Sequence, residues 1–243
     1  MARIDDLLSA GFKGLDPKPP DSASQAAKRH YSQRMSEVTA LALADELRWR
    51  GLHDARPASP GVLGGSGAER RMAGGLGPKK VDVSWATEES GLIFAISVKT
   101  INFRDSRSQN FQKNLTNRRS DMLMESVTLH RRFPFAVLAG LLILDHQAAS
   151  DDTKTRRSTF ENAHSRYRLF TGRDDPAGRD EQFERLLIML VDANKFQPSF
   201  SAYDVGAPET AIPMETVFDE LISLVATRNP DFYEAADGKL VKP

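Results

Sequence analysis

From about Ser24 to Arg50, apolar positions recur at helical spacing. Tyr31, Met35, Val38, Ala42, Leu43 and Trp49 share one face, and Gly51 is a natural stop. Glu46 falls inside the arc those residues cover, whereas Glu37 points largely away from it. A carboxylate aimed inward needs a partner, a metal or a proton; the alternative is a wobbling helix end that leaves Glu46 in solvent. Two strand-like runs follow, Lys80 to Thr87 (KVDVSWAT) and Leu92 to Thr100 (LIFAISVKT), separated by Glu88-Glu89-Ser90-Gly91. A long helix is expected over Asn110 to His130, with Leu115, Met122 and Leu129 as its inward stripe and Arg118 and Glu125 at the stripe's edge. Phe133-Pro134 stops it, and Phe135 to Leu144 reads as a buried strand leading to Asp145-His146.

Further along, Asp151 to Arg157 is a charged loop and Ser158 to Phe170 a helix. Glu181 to Val191 fits helix or strand, Phe200 to Val205 a short strand, and Met214 to Thr227 an amphipathic helix. Residues 14–24 (GLDPKPPDSAS) form a turn-rich loop. Residues 57–79 carry Gly61, Gly64, Gly65, Gly67, Gly74, Gly75 and Gly77 around Arg70-Arg71. No GxxxxGK[ST] pattern is present, so this is not a nucleotide-binding P-loop. It is expected to be a mobile loop able to close over a substrate, and a plain linker fits equally well. The expected fold class is α/β: a single domain over 1–243 with a mixed central β-sheet flanked by α-helices, a core at 24–146 and a helical C-terminal elaboration at 147–243.

The two strand-like runs also set a register. A tight antiparallel hairpin centred on Glu89 and Ser90 places Asp82 opposite Ser97. Residues two apart on a strand share a face, so Asp82, Ser97 and Lys99 project together while Ile96 and Val98 turn away. Slipping the register by one residue would break this grouping. The plainest account of Asp82 and Lys99 is a cross-strand ion pair. Their setting beside a buried strand, between helices carrying Glu46 and Glu125, gives them a second reading as a site.

Composition changes the picture in two ways. Cysteine is absent, which excludes a disulfide scaffold, thiolate metal ligation and a cysteine nucleophile. The formal net charge of zero cancels two unlike parts: residues 1–173 hold 27 Lys+Arg against 19 Asp+Glu, and residues 174–243 hold 6 against 14. A basic portion suited to a polyanion is thus joined to an acidic tail suited to dimer contacts or to limiting nonspecific DNA binding, unless the charges simply segregate among solvated faces. The opening MARIDDLLSAGF has acidic residues where a signal peptide would be apolar. The longest apolar run, Phe133 to Leu144, is too short to cross a bilayer. A cytoplasmic protein with no membrane partner is expected. Five scattered histidines without HxH or HxxxH spacing argue against zinc.

The order helix, Asp-bearing strand, Lys-bearing strand, helix, strand resembles the core of the PD-(D/E)xK nuclease superfamily, the restriction-endonuclease-like fold. The matching residues are Asp82 and the triplet Ser97-Val98-Lys99, within about 24–145. Two departures are visible: Pro78 is the proline nearest to Asp82, and Ser97 stands where the family usually has Glu or Asp. Some restriction enzymes of this superfamily carry Ser-x-Lys and take the acid from a neighbouring helix. Glu125 and Glu46 are the candidates here, although the family's usual spacing behind the lysine falls near Lys113.

The resemblance implies a Mg²⁺-dependent DNA endonuclease like a type II restriction enzyme. It would act on double-stranded DNA as a homodimer, because twofold symmetry matches a palindromic site. Asp82, with Glu46 or Glu125, would ligate Mg²⁺, an ion that takes oxygen ligands. Lys99 would orient or deprotonate the attacking water or stabilise phosphorane charge, and Ser97 would contribute a neutral hydroxyl. Arg70, Arg71, Thr100, Asn102, Arg104 and Arg118 are candidate DNA contacts. A repair or phage-defence nuclease without stringent sequence choice, and a non-catalytic nucleic-acid-binding or assembly protein that retains the fold, are the alternatives.

Overall fold

The computed structural model describes residues 2–62, 66–67, 69–193 and 196–243. Gly64 and Gly65 of the glycine-rich segment lie outside the described residues. In chain order the elements are α1 (Arg3–Lys13), α2 (Gln25–Trp49), β1 (Arg70–Gly74), β2 (Gly77–Val81), β3 (Val83–Thr87), β4 (Gly91–Ile101), α3 (Leu115–His130) and β5 (Val137–Asp145). They continue with α4 (Thr159–Tyr167), β6 (Arg185–Asp192), β7 (Ser199–Asp204), β8 (Ala211–Ile212), α5 (Met214–Arg228), β9 (Glu234–Ala236) and β10 (Lys239–Val241).

A mixed six-stranded sheet in the order β3-β4-β5-β6-β7-β8 forms the centre of this α/β fold. β4, β5 and β6 run parallel to their neighbours in that trio, and β3, β7 and β8 add antiparallel edges. Alternation along the parallel strands, strict in β5 and β6, builds two cores. Ile96 and Val98 of β4 and Val137, Ala139, Leu141 and Ile143 of β5 face α1, α2 and α5. Ala95 of β4 and Leu138, Leu142 and Leu144 of β5 face α3 and α4. A strand buried on both faces reads as a continuous apolar run, which is why FAVLAGLLIL stood out in the sequence.

Local chemistry explains several boundaries. The Ser24 hydroxyl accepts the Ala27 N–H and starts α2 where the periodicity begins. Ser158 and Glu161 make a capping box at the head of α4. Trp49, expected on the inward face of α2, is exposed at the helix end, where Arg3, Arg50 and Lys239 lie against its ring.

Three expectations need correcting. The 57–79 segment is not loop throughout: β1 and β2 pair Arg70 with Val81 through Gly74 with Gly77, and the Gly75 N–H donates to the Thr128 carbonyl of α3 at 2.8 Å. A Cβ at Gly74 would strike the Thr128 backbone carbonyl at 2.9 Å, so glycine there permits the close approach. The C-terminal part is not a helical appendage, because β6, β7 and β8 complete the same sheet as β3, β4 and β5. The run 80–87 is not one strand: Val81 ends the small β1–β2 sheet, Val83 begins the central sheet, and Asp82 stands at the bend between them.

Candidate functional site

The hairpin register holds as expected from Val83↔Ile96 to Trp85↔Phe94, with a shift only beyond Trp85. Asp82 is therefore delivered beside Ser97 and Lys99, on the face of β4 that looks toward α3. Its carboxylate Oδ2 accepts the Val98 N–H at 2.7 Å and a hydrogen bond from Lys99 Nζ at 3.0 Å. From α3, Glu125 Oε2 accepts the Ser97 hydroxyl at 2.9 Å and sits 3.2 Å from Lys99 Nζ. One ammonium is thus shared by two carboxylates, with serine fixing the deeper of them.

The approach of α3 depends on the neighbouring strand. Ser97 is in register with Gly140 of β5, and a Cβ at Gly140 would come within 2.7 Å of the Met122 methyl group. Met122 lies on α3 three residues before Glu125, so it shares that helix face. Glycine in β5 is what lets α3 come close enough for Glu125 to reach Lys99.

Electrostatics differ at the two buried groups. Burial alone would lower the pKa of the Lys99 ammonium, but the Glu125 and Asp82 carboxylates outweigh it, and the pKa lies above its ordinary value. Burial raises the Glu125 carboxyl, with Asp82 adding to the rise and Lys99 opposing it. Lys99 is thus held as a cation, and Glu125 is a carboxylate poised closer to protonation than usual.

Lys99 opens onto a cleft of about 460 Å³ at the C-terminal end of β4, the kind of place where open parallel sheets bind ligands. Thr100, Asn102, Arg104 and Arg118 line it, as do Lys28, Arg29 and Lys113. Asp82 and Glu125 are not among its lining residues and meet it through Lys99. Arg70 and Arg71 lie elsewhere, on the β1–β2 hairpin, where Arg71 faces Lys80. Glu46 is buried, the inward one of its two readings, but its partners are Arg3 at 2.9 Å and Arg50 at 2.6 Å. It stands ten residues beyond Ser36, which lines the cleft, and so roughly 15 Å farther along α2. Two arginines, not a metal, answer its charge.

No family model, curated protein or solved structure matches the chain. The site is therefore read from its own atoms.

Among the described residues no group of three or more His, Asp or Glu gathers as a metal cage. The donor set is two carboxylates, and Glu125 Oε1 is buried without a hydrogen-bond partner. Mg²⁺ commonly takes one or two protein carboxylates and completes its shell with water and substrate phosphate. Asp82 and Glu125 fit an ion held in that way, and Glu46 drops out of the set.

The sequence reading missed Lys28, Arg29 and Lys113. The Lys28-Arg29 pair near the head of α2 was a legible signal as two adjacent cations. It also missed a second buried cluster, in which Glu184 at the entry to β6 binds Arg173 at 3.0 Å and Arg228 at 2.6 Å and lies 3.3 Å from His130.

Proposed function

We propose that this protein is a Mg²⁺-dependent endonuclease acting on double-stranded DNA, resembling a type II restriction enzyme. One observation carries the reading: Asp82, Lys99 and Glu125 meet around a single ammonium at the edge of a cleft lined by cationic side chains. Two clustered carboxylates beside a lysine suit phosphodiester hydrolysis, which needs charge neutralisation at phosphorus and an oriented water.

The roles follow from the local chemistry. When bound between Asp82 and Glu125, Mg²⁺ would neutralise phosphate charge and acidify a water. The Val98 N–H aims the Asp82 carboxylate. Ser97 holds Glu125 Oε2, which takes the place of the acid the family usually carries at the Ser97 position. Lys99 keeps its proton, so it orients the water or stabilises charge on phosphorus rather than acting as the base.

Incubation of phage or plasmid DNA with the protein and Mg²⁺ tests this. Discrete fragments are expected, lost in EDTA and in Asp82→Asn, with the variant's thermal melt still cooperative. Full cleavage by Asp82→Asn would overturn the assignment. That no third ligand residue joins Asp82 and Glu125 among the described residues favours one other reading, a non-catalytic DNA-binding protein. Binding without cleavage in Mg²⁺ or Mn²⁺ would establish it.

A further inference from the structure

Three separate stretches of chain bring cations to the one cleft. Lys28 and Arg29 come from the first turns of α2, Arg104 from the segment after β4, and Lys113 and Arg118 from the turn before α3 and the head of α3. Lys99 stands among them at the end of β4. The sole acidic lining residue is Asp105, and Lys113 with the Arg107 and Ser108 backbone N–H groups already occupies it. These contacts hold the Asp105 carboxyl well below its ordinary range, so it stays ionised and bound to its own loop. Lys28 and Arg29 contribute two positive charges from one side, and Arg118, whose one ion pair among the described residues is a 3.5 Å contact with Asp121, contributes a third from the other.

A surface with this composition repels other cations and offers little to an apolar ligand. It suits a chain of phosphates, which asks for several positive charges at intervals rather than one. Positive charge at both walls, with Lys99 between them, matches a backbone running through the cleft. Arg104 is also set in place, because its backbone N–H donates to Asp21 of the 14–24 loop and its guanidinium lies over Phe111.

We infer that α2 and α3 form a two-walled phosphate clamp, with Lys28 and Arg29 on one side and Arg118 on the other, that grips double-stranded DNA independently of divalent metal. The inference rests on the nuclease reading for the identity of the polyanion, but not for the binding itself. The clamp holds the backbone phosphates flanking the one presented to Lys99. No clamp residue is bonded to Asp82 or Glu125, so gripping and hydrolysis are separable.

The experiment measures binding of a short DNA duplex to the full chain in EDTA across a series of KCl concentrations. The comparison is wild type, Lys28→Gln/Arg29→Gln, Arg118→Gln, and Arg131→Gln/Arg132→Gln as a control. Arg131 and Arg132 follow the far end of α3, about 20 Å from Arg118 along the helix. The log–log salt slope is expected to fall by about 2 in the α2 double variant and about 1 in Arg118→Gln. The control should retain the wild-type slope. Cooperative melts confirm that each variant is folded; where Arg118→Gln fails to fold, Arg118→Ala replaces it.

Unchanged slopes in the clamp variants, or an equal loss in the control, would overturn the clamp even if the protein cleaves DNA. Clamp-dependent binding without cleavage in Mg²⁺ would instead leave the clamp standing and sink the nuclease assignment.

Discussion

Ser97 on β4 donates its hydroxyl proton to Glu125 Oε2 on α3 at 2.9 Å, joining residues 28 positions apart. Ser97 is thus the residue that secures the Glu125 carboxylate in place, and under the proposed nuclease function Glu125 stands in for an acid at position 97. Replacing the serine with an acid should do harm. Ser97→Glu would set a second carboxylate against Glu125 in a buried site whose one cation is already shared with Asp82. We expect a lower urea midpoint and no gain in Mg²⁺-dependent cleavage. Ser97→Ala should cost about 1 kcal/mol for the lost hydrogen bond. A Ser97→Glu protein as stable and active as wild type would show that Glu125 is not the relocated acid.

The raised Glu125 carboxyl has a pH signature. Its native form holds its proton more tightly than the unfolded chain does, so acidifying through its folded pKa favours the native state. As pH rises through that value the native protein pays the burial of the charge and loses stability. Glu125→Gln stays neutral throughout. Urea unfolding across pH 4 to 8, roughly the span above ordinary carboxylate values, should show the wild type losing stability relative to Glu125→Gln as pH increases. Parallel curves would refute this.

Gly140 tests whether α3 must lie this close to the sheet. In Gly140→Ala the new methyl would meet the Met122 methyl and a Leu186 methyl, both at the flexible ends of side chains. Overpacking of this kind costs roughly 1–3 kcal/mol. Because Met122 and Glu125 move with one helix, cleavage should fall further than global stability accounts for. Adding Met122→Ala should restore part of it. A Gly140→Ala protein with a lower melting temperature but full activity would separate the packing from the site.

How far the sequence disclosed this arrangement depended on the range of the interaction. The antiparallel pairing of Val83 with Ile96 followed from a short turn and period-two alternation, so the grouping of Asp82, Ser97 and Lys99 was legible. The contact of Lys99 with Glu125 was legible only as a possibility, since it depends on how closely a helix docks over Gly140. Glu46 shows the limit: the inward one of its two readings holds, yet Arg3 and Arg50 claim it, and nothing in α2 announces an arginine from α1. The ambiguity of Glu181 to Val191 had the same origin. An apolar run buried on both faces has no period, and only its pairing with β5 and β7 makes Arg185–Asp192 a strand.

The cluster around Glu184 offers a prediction about stability alone. Its Oε2 accepts the Leu138 N–H at 2.7 Å, and its Oε1 binds Arg173 and Arg228, all of them buried. These contacts tie the entries of β5 and β6 to the last turn of α5. Burial would raise the Glu184 carboxyl, but His130 and Arg228 outweigh it and hold the pKa below its ordinary value. A carboxyl lowered in the folded state contributes stability that is present above its unfolded pKa. That stability is lost as pH falls through the folded value. Glu184→Gln removes the negative charge and leaves two buried guanidinium groups without it, a loss of about 3–5 kcal/mol. The variant should melt well below wild type at pH 7, with the gap narrowing on acidification below about pH 4, where the unfolded carboxyl takes up its proton first and the native one follows at its lower value. A melting temperature within a degree of wild type at pH 7 would mean that the two arginines are satisfied by the Pro134, Ala136, Arg173 and Pro176 carbonyls, which also accept from them.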